Sequence, residues 1–272
     1  MTLSEFLPEN DFNVAKPLLV LNGAEEICQV LLACRGQAGW QVAHFREMPP
    51  DQPIMEVLMP ALLEMLATAA LPPADLGGIA CVRGPGRFTG IRIVLATALG
   101  LSKAAGIPLA GLELPAVLAS GSRPILQSDQ LIVAARARRD LAYVQLFSHR
   151  DDALEADAPT AIMSDEDLAA LINGLPNCPC LLGSGVAPCL SKLSGRICRP
   201  YFVLPEQYNR PQPGALLSEA LRQNYSMEAI DPLYLRISDA EENLSAIAAG
   251  RGLAPEEAQK RLRTSLHNVS IE

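Results

Sequence analysis

Apolar and polar positions along this chain alternate between strand-like runs and helix-like stripes. Pro17-Leu18-Leu19-Val20-Leu21 is a continuous apolar run that reads as a buried strand ending at Asn22-Gly23-Ala24. Ile27 to Ala33 and Trp40 to Phe45 follow, separated by Arg35-Gly36-Gln37-Ala38-Gly39, and together they predict an antiparallel meander. Next comes a helix from about Ile54 to Ala70, a strand at Gly78 to Val82, a glycine turn and a second helix. A strand at Pro108 to Leu112 and a helical stretch from Leu114 to Ser120 complete the first half. The order of strands and helices predicts an α/β layout with a mixed sheet.

The second half repeats the scheme. Leu131 to Ala135 and Leu141 to Phe147 flank Arg136-Ala137-Arg138-Arg139-Asp140 and predict a hairpin. Ser164-Asp165-Glu166-Asp167 has the spacing of a capping box opening a helix that runs to Asn173. Leu181-Leu182-Gly183-Ser184-Gly185 is again a strand entering a glycine turn, followed by helices at Ala187 to Leu193 and Pro213 to Asn224. Beyond the extended segment Asp231 to Arg236, Glu241 to Ala249 and Pro255 to Leu266 predict two short amphipathic helices.

Two stretches stand out. The first is Gly84-Pro85-Gly86-Arg87-Phe88-Thr89-Gly90-Ile91-Arg92-Ile93. Glycines around a proline impose a tight turn. Phe88, Ile91, Leu95, Leu99 and Leu101 then recur at helical spacing among small residues, which predicts a helix buried on most of its surface. A strand, a glycine turn and a helix N-terminus can cradle a phosphate, because the first amides of a helix are unpaired. No Lys-Ser/Thr follows the glycines, so this is not a P-loop. The plainer reading, a turn that packs a helix close to a sheet, is favoured because glycine turns mostly shape backbone.

The second is the Ile54 helix. Its polar residues Glu56, Glu64 and Thr68, with Pro60, fall four apart on one narrow stripe, and nearly everything else is apolar. Covering a core needs an apolar face only somewhat wider than about 100°. A second face must therefore be buried as well, either by another helix of the chain or at a subunit interface. Methionines suit an adaptable interface. Pro60 predicts a kink or a fresh helix start.

Composition narrows the function classes. The 272 residues, 49% of them hydrophobic with mean hydropathy +0.18, suffice for one large or two modest domains with ample core. The net charge of −8 and pI near 5.0 argue against a protein that grips nucleic acid unaided. Arg136, Arg138 and Arg139 form the only basic cluster and read as a solvated strand end. Seven cysteines, an odd number and several in apolar strands, predict reduced thiols. Cys178-Pro179-Cys180 has no second pair to complete a zinc site. His44, His149 and His267 have no metal-binding spacing. Met1 to Lys16 lacks an apolar signal core, and no apolar stretch appears long enough to span a bilayer. A cytoplasmic location is expected, with no membrane contact, no cofactor and no metal.

The Gly84 to Ile93 motif, followed by Leu95-Ala96-Thr97-Ala98-Leu99-Gly100-Leu101, resembles the TsaB family. So do Leu19 to Val30, Glu56 to Leu63, Ala137-Arg138-Arg139 with Tyr143, and Asp231 to Arg236, so that the resemblance covers most of residues 17–236. It implies two RNase H-like lobes of the actin-like and Hsp70-like ATPase (ASKHA) fold, mixed sheets flanked by helices. The expected organisation is an N-terminal extension over 1–16, lobes over 17–113 and 114–236, and a helical tail over 237–272. It also implies a catalytically silent subunit that binds TsaD as a heterodimer, with further subunits of the machinery. That complex transfers a threonylcarbamoyl group to the adenosine beside the tRNA anticodon, and tRNA would be met only indirectly. A homodimer through the same helices is a further possibility. The contact residues expected are Met55, Leu58, Met59 and Leu62, supported by Phe88, Thr89 and Arg92.

The chain departs from the family pattern where chemistry would sit. The usual Asp-Thr-Ser after the first strand is Asn22-Gly23-Ala24. The usual His-Ser-Glu is Ile54-Met55-Glu56, and a cation, Arg136, stands where a carboxylate is usual. Asparagine lacks the charge that helps hold a metal–phosphate cluster, and alanine lacks a hydroxyl. The His-x-x-x-His motif of TsaD is also missing. The alternative, a nucleotide-hydrolysing or peptidase-type enzyme of the same fold, has only Thr89 and Ser184 as candidate nucleophiles.

Overall fold

All five residues of β1 (Leu18–Asn22) are buried, which a strand achieves only at the centre of a sheet covered on both faces. The computed structural model describes residues 11–138, 140–150, 153–193 and 195–235. β1 pairs antiparallel with β2 (Cys28–Gly36), which pairs antiparallel with β3 (Gly39–Met48), the expected meander. On its other side β1 runs parallel to β4 (Gly78–Gly84), and β4 parallel to β5 (Leu109–Glu113), giving the order β3-β2-β1-β4-β5.

Alternation along β1 sends Leu19 and Leu21 to one face, where α1 (Ile54–Thr68) and α2 (Phe88–Ala105) cover them. Leu18, Val20 and Asn22 take the opposite face. There α3 (Leu114–Ser122) packs on β4 and β5, and α6 (Pro213–Leu221) on β1, β3 and β5.

The second sheet is built from β6 (Gln130–Arg138), β7 (Leu141–Arg150), β8 (Ala153–Ala156), β9 (Ala161–Ser164), β10 (Cys180–Leu182) and β11 (Phe202–Val203). Its order is β11-β10-β6-β7-β8, with β9 also on β7. The hairpin of β6 and β7 is as expected. α4 (Asp165–Gly174) and α5 (Val186–Lys192) cover its outer face around Ile132, Ala134, Val144 and Leu181. α3 also touches β6, β7 and β8, so it lies between the sheets beside α6 (Pro213–Leu221). The layers therefore run helices, sheet, central helices, sheet, helices. This is the two-lobed mixed-sheet architecture that the resemblance implies.

Ser164 caps α4 as expected, its hydroxyl accepting from the Asp167 amide while Asp167 reaches back to the Ser164 amide. After α6 the chain returns to the first sheet. Ser226 exchanges backbone hydrogen bonds with Leu109, Ile230 joins the first core, and the Leu233 amide donates to Arg83 O at 2.8 Å. The compact unit holding both sheets ends at Leu233; a second begins at Tyr234, of which Tyr234 and Leu235 are described. Residues 1–10 and the tail helices expected over 241–249 and 255–266 lie outside the described residues.

Two expectations need correction. α2 is not buried on most of its surface: Ile91, Val94, Ala98 and Ser102 alone are fully buried, while Thr89, Arg92, Ala96, Gly100 and Lys103 are exposed. Apolar composition misled here, because small residues raise hydropathy without saying which face they occupy. Likewise α2, with 18 residues and mean hydropathy 1.3, is long and apolar enough by length and composition to cross a membrane. It lies along the first sheet as a surface helix.

Candidate functional site

The glycine turn is a packing device. Arg87 N donates to Ala24 O at 2.7 Å, tying the turn to the β1–β2 connection. A Cβ added at Gly86 would lie 2.2 Å from Ala24 O, and one at Gly90 would lie 2.1 Å from Gly23 O. Gly23 is constrained in the same way, since a Cβ added there would lie 2.7 Å from Gly90 O. Two backbone segments thus meet where no side chain fits, and the leading amide of the turn is already used. Arg92 stacks over the Phe88 ring at 3.8 Å, closing the outer side of the first helical turn.

Between the lobes the polar residues are engaged with one another. Asn22 is buried, its Oδ1 accepting from the Ala24 amide at 3.0 Å and its Nδ2 donating to Gln29 Oε1 at 2.9 Å. Glu25 accepts from Ser184 Oγ at 3.0 Å across 159 residues of chain, and Ser184 Oγ accepts from the Arg136 amide. Desolvation pushes the Glu25 carboxyl up to about 7; the Ser184 hydrogen bond opposes this, Glu26 adds to it and Arg87 opposes it. The residues do not fit a metal-bound nucleotide. Both polar ends of Asn22 are committed, Ala24 offers no hydroxyl, and Glu25 is held by Ser184. Among the described residues, no three His, Cys, Asp or Glu side chains group to hold a metal ion.

Of the candidate nucleophiles Thr89 and Ser184, Ser184 has a carboxylate partner, Glu25. Beside Ser184, the amides of Gly185 and Val186 donate to Ala134 O and Gly183 O, leaving neither to stabilise an oxyanion. Burial pushes the thiols of Cys28, Cys81 and Cys189 well up, which marks them as core residues.

Among the described residues, α1 and α2 present an apolar face to the outside; they touch side by side over the first sheet. α1 continues through Pro60 and buries Leu58, Ala61, Leu62, Met65 and Leu66. Its opposite side carries Met55, Met59 and Leu63 at 74%, 39% and 55% exposure. They are spaced four residues apart and form one apolar stripe facing out. No described helix covers it. Arg46 pairs with Glu64 beside it. On α2 the first turn presents Thr89 and Arg92, with Phe88 half-buried.

Of the expected contact residues, the fold brings Met55 and Met59 to this face, with Phe88, Thr89 and Arg92 on the neighbouring helix. Leu58 and Leu62 are 1% and 0% exposed and belong to the first core: with Leu66 they form the i, i+4 row turned to the sheet, and Met55, Met59 and Leu63 form the adjacent row on its solvent flank. Leu63, four residues beyond Met59, completes the stripe; the same helical arithmetic identifies it from sequence.

Comparison with known proteins agrees with this architecture. The family model for TsaD, tRNA N6-adenosine threonylcarbamoyltransferase, matches residues 53–177. The tRNA threonylcarbamoyladenosine biosynthesis protein TsaB of Escherichia coli is 26% identical over 230 residues, covering 84% of this chain and 97% of that protein. An uncharacterized protein of Mycobacterium tuberculosis is 30% identical over 190 residues, 68% of this chain and 76% of its own length. A crystal structure from Pseudomonas aeruginosa, of an uncharacterized protein with similarity to peptidase YeaZ, superposes with a TM-score of 0.66 at 25% identity. It covers 81% of this chain and 100% of that one. With its glycine-turn motif, its two-lobed fold and these relatives, the chain belongs to the TsaB family.

Proposed function

We propose that this chain is a non-catalytic subunit of tRNA threonylcarbamoyladenosine biosynthesis. In this reading it binds a TsaD-type partner and supports transfer of the threonylcarbamoyl group to the adenosine beside the anticodon. The observation that carries the reading is the apolar stripe Met55, Met59 and Leu63 on α1, standing uncovered beside α2. Exposed apolar surface of this kind, flanked by Glu56, Glu64 and Arg92, suits a protein interface. The partner fitting it presents helices of its own, with apolar residues between α1 and α2 and a carboxylate near Arg92. Contact with tRNA falls to the partner, in keeping with a net charge of −8. A second copy of the chain can use the same stripe, and the two states would compete.

The peptidase reading draws on one feature, a serine hydrogen-bonded to a carboxyl that titrates near neutrality. The committed amides of Gly185 and Val186 beside Ser184 weigh against it.

The test is genetic and chemical. Cells depleted of this chain should lose threonylcarbamoyladenosine from their tRNA, measured by mass spectrometry of digested nucleosides. Wild type should restore it, and the double variant Met59→Glu/Leu63→Glu should not. Undiminished modification without the chain would contradict the proposal.

A further inference from the structure

Strand register places Asn22 opposite Gln29, and Gln29 opposite Glu47, in one row across β1, β2 and β3. Asn22 and Gln29 are each 1% exposed, and a buried amide is costly unless its donors and acceptors are matched. They are matched in one direction only. Gln29 Nε2 donates to Glu47 Oε1 at 2.8 Å and to the carbonyl of Pro211 at 3.0 Å, which uses both of its hydrogens. Its oxygen must therefore face β1, and residue 22 must donate to it. Asparagine does so; an aspartate would set two acceptors against each other. Asn22 and Gln29 specify one another.

The contact with Pro211 closes a longer circuit. Pro211 leads into α6, and two residues earlier Asn209 Oδ1 accepts from the Gly183 amide at 2.7 Å, on the glycine turn of the second sheet. The next residue, Ser184, reaches back to Glu25 on the β1–β2 connection. From Asn22 and Gln29 through the 209–211 segment to Gly183, Ser184 and Glu25, the hydrogen bonds run around the cleft and return to the first sheet.

We propose that this ring is a built-in clasp fixing the two lobes relative to each other without a ligand. It stands at the cleft that the ATPase-like architecture would give to a metal-bound nucleotide, and Gln29 is its central positioning residue. The chemistry gives residue 22 its role: as asparagine it donates to Gln29 and accepts from the Ala24 amide within the clasp. Lobe geometry is then a constant of the chain, rather than a variable set by nucleotide.

The test is amide hydrogen exchange on the full chain, as wild type, Gln29→Ala and Ser184→Ala, each with and without magnesium ATP. The Ala24 amide is held by Asn22, the Arg136 amide by Ser184, and the Gly183 amide by Asn209. Gln29→Ala should speed exchange at Ala24 and Gly183 more than tenfold, and Ser184→Ala should do so at Arg136 and Gly183. Amides of α1 should stay unchanged in both, and magnesium ATP should alter nothing in wild type. Unchanged exchange at Gly183 in either variant would overturn the clasp, as would protection of the wild-type cleft by magnesium ATP. Ser184 lies at the edge of the cleft, so Ser184→Ala decides the matter even where Gln29→Ala fails to fold.

Discussion

Glu25 couples the cleft to pH. Its carboxyl titrates near 7 in the folded chain, against an ordinary value of 4.5, chiefly through loss of solvent. The folded state therefore holds a proton that the unfolded chain has released between these values. The resulting stability is fully present below pH 4.5 and is lost as pH rises through about 7. Glu25→Gln keeps an acceptor for Ser184 and removes the charge. Its melting temperature should rise relative to wild type as pH goes from about 5 to about 8, and a constant difference would contradict the assignment. Gly90 gives a second test at this scale. A methyl there meets Gly23 O at 2.1 Å, backbone against backbone, so neither side can yield cheaply. Gly90→Ala should cost at least about 1–3 kcal/mol in denaturant unfolding, whereas Gly100→Ala, with open space around it, should cost nothing or stabilise the helix.

α1 does two jobs on two faces, and substitutions should separate them. Leu62 is fully buried in the first core, so Leu62→Ala should lower stability by about 2–5 kcal/mol. Leu63 is its neighbour in sequence and faces out, so Leu63→Glu should change stability by no more than about 0.5 kcal/mol. That it is the second substitution which disturbs partner binding would show the stripe at work; equal losses of stability would place Leu63 in the core. Ser164→Ala removes a capping box from α4 and should cost about 1 kcal/mol, read as a shift of the unfolding midpoint. The long elements were legible because their periodicity is carried by many residues: three N-terminal strands, α1, and the β6–β7 hairpin all appear where the apolar pattern puts them. The short strands β8, β9 and β11 were not, since four residues or fewer carry no resolvable alternation and their pairing is set by β7 and β10.

At the scale of the whole molecule, two sheets share their central helices, and the departures from the family pattern at Asn22 and Gly23 have a place in that plan. Asn22 was legible as a loss of charge. Its gain was not, because Gln29, Glu47 and Pro211 come together only through strand register and a contact spanning 182 residues. The same holds for Glu25 and Ser184. The second apolar face of α1 was visible in the sequence, whereas the openness of α2 needed the fold to show which side the sheet takes.

In the proposed function the α1–α2 face binds a TsaD-type protein. Light scattering on a sizing column tests it directly, using this chain alone and then mixed with the TsaD-type protein of the same organism. Wild type should form a discrete mixed complex that displaces any self-dimer. Met59→Glu/Leu63→Glu should elute separately from the partner while keeping its melting temperature. A variant that still forms the mixed complex would move the interface elsewhere on the molecule, and a wild-type chain that forms none would contradict the account.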